Sequence, residues 1–249
     1  MTQTDPPRSL IEVRLPIGPL SLESCKERDA KGSKRLSSLA KWWGGKPLVL
    51  VRAIVIGSVF PAAEDPADWP NDLDIFLRCL TLDNAGMWKR KTAPLPAALC
   101  WPQATAEEQE VLFADQETWR RGRAVDRELR QTLERRVFYT LPYPEQREYC
   151  CRVEQIDGPP PESWAEINAY LGTNAETLPA LVQQLAERRY GRRLKVGDAF
   201  CGGGSIPFEA AELGCDVYAS DLNPVACLLT WGALNIIGGT DAFREQIHA

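Results

Sequence analysis

The sequence predicts an α/β protein in which a mainly helical N-terminal region precedes the opening of a parallel, doubly wound sheet. Three observations predict it. From Arg192 onward the chain alternates strand-like and helix-like runs with glycines at the joints, and such β-α-β alternation implies parallel strands joined by a crossover helix. Before Arg192, apolar residues recur mostly at three- and four-residue spacing, the period of a helix face. The 44% hydrophobic and 25% charged residues among 249 belong to an ordered globular chain, long enough for one large domain or two small ones.

Residues 1–60 form the first expected unit. It starts with an extended stretch, "LIEVRLPIGPL", continues through a charged segment and ends in "LAKWWGGKPLVLVRAIVIGSVF". The apolar run from Pro47 to Phe60 is too short to span a bilayer and carries Arg52 in its middle, so it reads as a buried helix or strand. Although the chain has a formal net charge of -5, the segment from Lys26 to Arg52 holds eight Lys or Arg against Glu27 and Asp29. A locally basic patch is therefore compatible with an acidic chain.

Residues 61–190 read as mainly helical with Pro-rich loops at Pro61 to Asp74 and Thr92 to Thr105. Helices are expected from Asp72 to Leu82 and, as one long element, from Ala106 to Val137, where Val111, Leu112, Ala114, Trp119, Leu129, Leu133 and Val137 trace a packing face. Two more follow the proline cluster around residue 159: "PESWAEINAYL" and "TNAETLPALVQQLAERRYG", the latter closed by Gly191. Residues 191–249 supply strand "RLKVGDAF", helix "SIPFEAAELG", strand "CDVYASD" and helix "NPVACLLTWGALNIIGG", the last with Asn223 as cap and Pro224 at its first position.

Several classes are disfavoured. The eight cysteines contain no Cys-x-x-Cys pair and the lone histidine is His248, which leaves no zinc-ligand spacing. The start, "MTQTDPPRSL", lacks a basic region followed by an apolar run, so no secretion signal is read and reduced thiols in a cytoplasmic protein are expected.

The stretch "DAFCGGGSIPFEAAELGCDVYASDLN", residues 198–223, carries the chemistry. Glycines at the first strand-to-helix turn let a ligand approach the backbone, and an acid after the second strand, here Asp221, is placed to accept hydrogen bonds from ribose hydroxyls. A nucleoside-containing ligand follows. A dinucleotide fingerprint aligned on Gly202 and Gly204 requires glycine at 207, where the chain has Pro207, and no Gly-Lys-Ser or Gly-Lys-Thr follows the loop. The plainer alternative is an ordinary β-α turn with an aspartate capping the next helix.

Asp198, Phe200, Gly202 and Gly204 form Asp-x-Phe-x-Gly-x-Gly, which is similar to the first motif of amino-methylating DNA methyltransferases. The opening segment, with Trp42, Trp43, Lys46, Pro47, Leu48, Arg52 and Ala53, resembles that of a family of large bacterial adenine-specific DNA methylases that begin with a domain of unknown function. The resemblance implies a Rossmann-like sheet, incomplete in this chain, that binds S-adenosylmethionine through Asp198, Phe200, Gly202, Gly203, Gly204 and Asp221. It implies that Phe200 packs under the loop and that DNA is the partner. Trp42, Trp43, Lys46 and Arg52 are candidates for nucleic-acid contact, with core packing as the alternative for the tryptophans. The family's Asp/Asn-Pro-Pro-Tyr/Phe motif does not occur in these residues; "DGPPPE", Asp157 to Glu162, lacks the aromatic and reads as linker. The catalytic residues are therefore unassigned, and the chain is expected to be an N-terminal portion or one half of a split enzyme. The competing expectation is a non-catalytic subunit that docks to a partner chain through open strand edges.

Overall fold

A computed structural model describes residues 7–29, 45–120, 122 and 126–238. The chain divides into two compact units, Met1–Leu82 with Arg152–Ala249, and Asp83–Cys151. It is mixed α/β and mostly helical, with two small two-stranded sheets among the described residues.

The first unit begins with α1 (Leu10–Val13) and α2 (Ile17–Asp29), where the sequence suggested extended chain. The correction has a local cause. Ser9 forms a capping box with Glu12, whose Oε2 accepts from the Ser9 amide at 2.7 Å and from its hydroxyl at 2.5 Å. That pairing starts the helix, and burial of Leu10 and Leu20 against the core holds both segments in place. α3 (Leu48–Val59) follows Pro47 and is buried on nearly every side. Its start is satisfied from α2, since Glu27 Oε2 accepts from the Val49 amide at 3.3 Å. α4 (Trp69–Cys79) brings Phe76 edge-on to Phe60, with ring centroids 5.7 Å apart.

The second unit holds α5 (Asn84–Arg90), α6 (Ala97–Cys100), α7 (Ala106–Leu112), β1 (Phe113–Asp115), β2 (Thr118–Trp119), α8 (Arg127–Thr140) and α9 (Tyr143–Tyr149). The long helix expected over 106–137 is thus two helices with an antiparallel hairpin between them. Asp115 Oδ1 accepts from the Glu117 amide at 2.8 Å, an Asx turn that reverses the chain. The aromatics Phe113 and Trp119 then stack across the strands at 4.4 Å, which a single helix running through both could not provide. Met87, Leu112, Leu133, Val137 and Phe138 form this unit's core.

Returning to the first unit, α10 (Pro161–Leu171) and α11 (Leu178–Tyr190) are each closed by a left-handed glycine, Gly172 at φ +62° and Gly191 at φ +67°. Both helices share one core with α3 and α4. The units therefore cut the chain at 82 and 151 instead of at 60 and 190. β3 (Lys195–Asp198), α12 (Ser205–Glu212), β4 (Asp216–Ala219) and α13 (Pro224–Gly232) complete the unit. β3 and β4 pair in parallel from Lys195 opposite Asp216 to Asp198 opposite Ala219, with α12 as the crossover between them. Asn223 caps α13 by accepting from the Val225 amide at 2.9 Å, as its sequence suggests. No disulfide joins any of the eight cysteines. No described helix is long and apolar enough to cross a membrane.

Candidate functional site

The loop between β3 and α12 is shaped by two glycines in left-handed conformation, Gly202 at φ +51° and Gly204 at φ +79°. At Gly204 the restriction is double. A Cβ there would also lie 2.9 Å from Thr230 Oγ1 and 3.2 Å from the Thr230 Cα on α13. Thr230 is the hydroxyl of an otherwise apolar helix turn, and it donates toward Cys201 Sγ and Gly202 O, both at 3.3 Å. The loop is thereby pressed onto α13.

Asp221 sits just past β4 and fastens the loop from the other side. Its Oδ2 accepts from the Gly202 amide and its Oδ1 from the Asn223 amide, each at 2.9 Å. These amides, Asn223 first and then Gly202, hold its carboxyl below the usual aspartate range. The strand ends are tied as well: Cys201 N donates to Ser220 O at 3.0 Å and Ser220 N to Asp198 O at 2.9 Å. Asp198 Oδ1 accepts from the Phe200 amide at 3.1 Å, so this carboxylate orders the turn that precedes the glycines.

Asp198, Gly202, Gly203, Gly204 and Asp221 accordingly come together beyond the carboxyl ends of the paired strands, where parallel sheets hold ligands. Two expectations change. Phe200 is 78% exposed and does not pack under the loop. The Gly202 amide is engaged by Asp221, so it is the half-buried Gly203, Ser205 and Ile206 whose amides have no protein partner among the described residues.

The basic opening segment is divided in its use. Trp42 and Trp43 lie outside the described residues. Lys46 is exposed, and it belongs to a stretch close to the loop, for a Cβ on neighbouring Gly45 would be 3.5 Å from Ser205 Oγ. Arg52 is turned inward, 4% exposed. Its Nε donates to Glu209 Oε1 on α12 at 2.5 Å, and its Nη1 to the carbonyls of Val153 and Ile156 at 3.2 and 3.4 Å. Burial pushes the Glu209 carboxyl up, and Arg52 opposes that shift. This pair joins α3 to the helix behind the glycine loop and leaves Arg52 unavailable to phosphate. Sequence reasoning missed Glu209 and Thr230. Their signal was present as the single acid facing inward in "SIPFEAAE" and the single hydroxyl in "PVACLLTWG".

Fold and site together define a mixed α/β, mostly helical protein with a parallel β-α-β turn whose glycine loop is latched by an aspartate. A family model described as a protein of unknown function (DUF1156) matches residues 14–77. That stretch includes α2, α3 and most of α4, and so includes Arg52. No curated protein and no solved structure matches the sequence.

Proposed function

We propose that the loop from Asp198 to Gly204, with Asp221, binds S-adenosylmethionine, and that the chain is the N-terminal part of an adenine-specific DNA methyltransferase with a Rossmann-like donor domain. The observation that carries the reading is the latched glycine loop at the strand ends. Gly204 admits no side chain, Gly203 is half-buried, and Asp221 keeps carboxylate lone pairs beyond the two it uses on backbone amides. These groups fit a ligand with a carboxylate at one end and ribose hydroxyls at the other: amides at the loop and helix start for the anion, Asp221 for the hydroxyls. The donor supplies an electrophilic methyl group when bound. The family-model match to 14–77 falls on the segment that carries the resemblance to DNA methylases, which adds to the support.

A second reading has its own observation. Leu222, Val225, Leu228 and Trp231 on and before α13 are 91, 55, 66 and 48% exposed, and Tyr218 on β4 is 69% exposed. Beside a sheet with two strands among the described residues, such an apolar surface suits a protein that docks to a second polypeptide. Calorimetric titration with S-adenosylmethionine, and separately with NAD, separates the readings. Micromolar binding of the methyl donor alone, lost in Asp221→Ala while the far-ultraviolet circular dichroism is unchanged, is the expected result. Absence of heat from a folded protein would remove the donor site and leave the docking subunit.

A further inference from the structure

Ser24, Ser58, Thr132 and Thr140 each donate their hydroxyl to a carbonyl three or four residues earlier in their own helices, a common use of a hydroxyl inside a helix. Thr230, 4% exposed on α13, turns instead to the glycine loop, reaching Gly202 O and Cys201 Sγ at 3.3 Å each across 28 and 29 residues of chain. One hydroxyl proton serves one acceptor at a time, and the Cys201 thiol can return its own proton to Thr230 Oγ1, leaving the hydroxyl for Gly202. The direction of the Gly202 carbonyl has a consequence on its far side. The Gly202–Gly203 peptide is trans, and a planar trans unit points its C=O and N–H in opposite directions. Holding Gly202 O against α13 therefore turns the Gly203 N–H away from α13. The amides around it are engaged: Cys201 N donates to Ser220 O at 3.0 Å, Gly202 N to Asp221 Oδ2 at 2.9 Å and Gly204 N to Cys201 O at 2.8 Å. Gly203 is the member of that run whose amide has no protein partner among the described residues.

We propose that Thr230 is a positioning residue for the methyl donor: its hydroxyl fixes the Gly202–Gly203 peptide so that the Gly203 N–H meets the carboxylate at the amino-acid end of the ligand. The inference rests on the S-adenosylmethionine reading and adds to it the residue that sets the aim and the ligand group that receives it. An N–H offered to a carboxylate makes a charge-assisted bond, stronger than a neutral one, and its strength falls steeply with misalignment. A peptide held in place before the ligand arrives keeps that bond at no ordering cost. The ribose end depends on Asp221, which holds the Gly202 amide on the other side of the Gly202 Cα, so it does not depend on the Thr230 hydroxyl.

Calorimetric titration of the full chain with two ligands is the test: S-adenosylmethionine, and methylthioadenosine, which keeps the nucleoside and lacks the amino-acid end. Thr230→Val keeps the outline of the side chain and removes the hydroxyl, whereas Thr230→Ser keeps the hydroxyl and removes the methyl. Thr230→Val is expected to bind S-adenosylmethionine a few-fold to about tenfold more weakly, the scale of one hydrogen bond, and to bind methylthioadenosine as wild type does. Thr230→Ser should bind both ligands as wild type does, a rescue that a packing role would not give. Thr230→Ala makes the same comparison with serine if the buried valine disturbs folding, which circular dichroism reads. Equal binding of S-adenosylmethionine by wild type and Thr230→Val overturns the inference. Equal weakening of both ligands overturns it too, because the hydroxyl would then support the whole loop and not the aim of one amide. Failure of the donor reading looks different: wild-type protein that gives no heat with S-adenosylmethionine removes the donor site, and this role of Thr230 with it, before any variant is compared.

Discussion

Gly204 is the residue whose side chain is excluded by two independent constraints, its φ of +79° and the Thr230 atoms at 2.9 and 3.2 Å. The second of those atoms is a backbone carbon, so trimming Thr230 cannot make room. Gly204→Ala is therefore expected to cost on the order of 1–3 kcal/mol from the backbone conformation alone, with the clash added. Because Gly202 O and Cys201 Sγ are held by the same Thr230 hydroxyl, the substitution should also displace the loop and abolish methyl-donor binding. Thermal melts together with calorimetric titration measure the two effects. A Gly204→Ala protein with unchanged melting temperature and unchanged donor affinity would show that the loop is not pressed onto α13. At the neighbouring Gly203, whose φ is not in the left-handed region, alanine carries no backbone strain and is expected to cost less stability.

At the scale of elements, the contact between α3 and α12 decides how the N-terminal segment supports the loop. Arg52 and Glu209 are 5% and 0% exposed at their side chains, and Glu209 Oε2 has no hydrogen-bond partner among the described residues. A buried pair of this kind adds little net stability when whole but is costly when one partner is removed, by about 3–5 kcal/mol. Arg52→Met should be strongly destabilised, and Arg52→Met/Glu209→Leu should recover most of the loss. The single variant also makes a pH prediction. Burial already raises the Glu209 carboxyl pKa above its unfolded value, and removing Arg52 takes away the guanidinium that opposes it. The folded state then binds a proton more tightly than the unfolded state, so stability rises as pH falls from neutrality toward the unfolded carboxylate pKa and declines as pH rises through the folded one. Urea melts at pH 5 and pH 7 read this directly. A single variant equally stable at both pH values would show that Glu209 escapes to water when its partner is gone.

For the whole molecule, what the sequence disclosed depended on how local the determinants were. The β-α-β turn was legible because its signals are short-range: glycine where φ is positive, Asn223 and Pro224 at a helix start, alternating strand runs only four residues long. The 106–137 region was misread because Val111, Leu112 and Trp119 fit a helical period while the decisive feature, Asp115 turning the chain so that Phe113 meets Trp119, is a single side-chain contact to backbone. Arg52 was misassigned because its partner lies 157 residues away, a separation that no window along the chain spans. The division into units follows from the same long-range packing, since α4 and α10 join across the intervening segment into one core. That division yields a prediction about ligands. Because the donor loop belongs to the first unit, S-adenosylmethionine should slow amide hydrogen exchange around residues 198–230 and leave 83–151 as it was. The ligand raises the free energy of opening in the elements it holds, by about 2.7 kcal/mol at a hundredfold excess over its dissociation constant. A footprint confined to the first unit is the expected outcome of exchange measured by mass spectrometry. Protection by methyl donor confined to 83–151 would transfer the nucleoside site to the second unit and leave the glycine loop as an ordinary strand-to-helix turn.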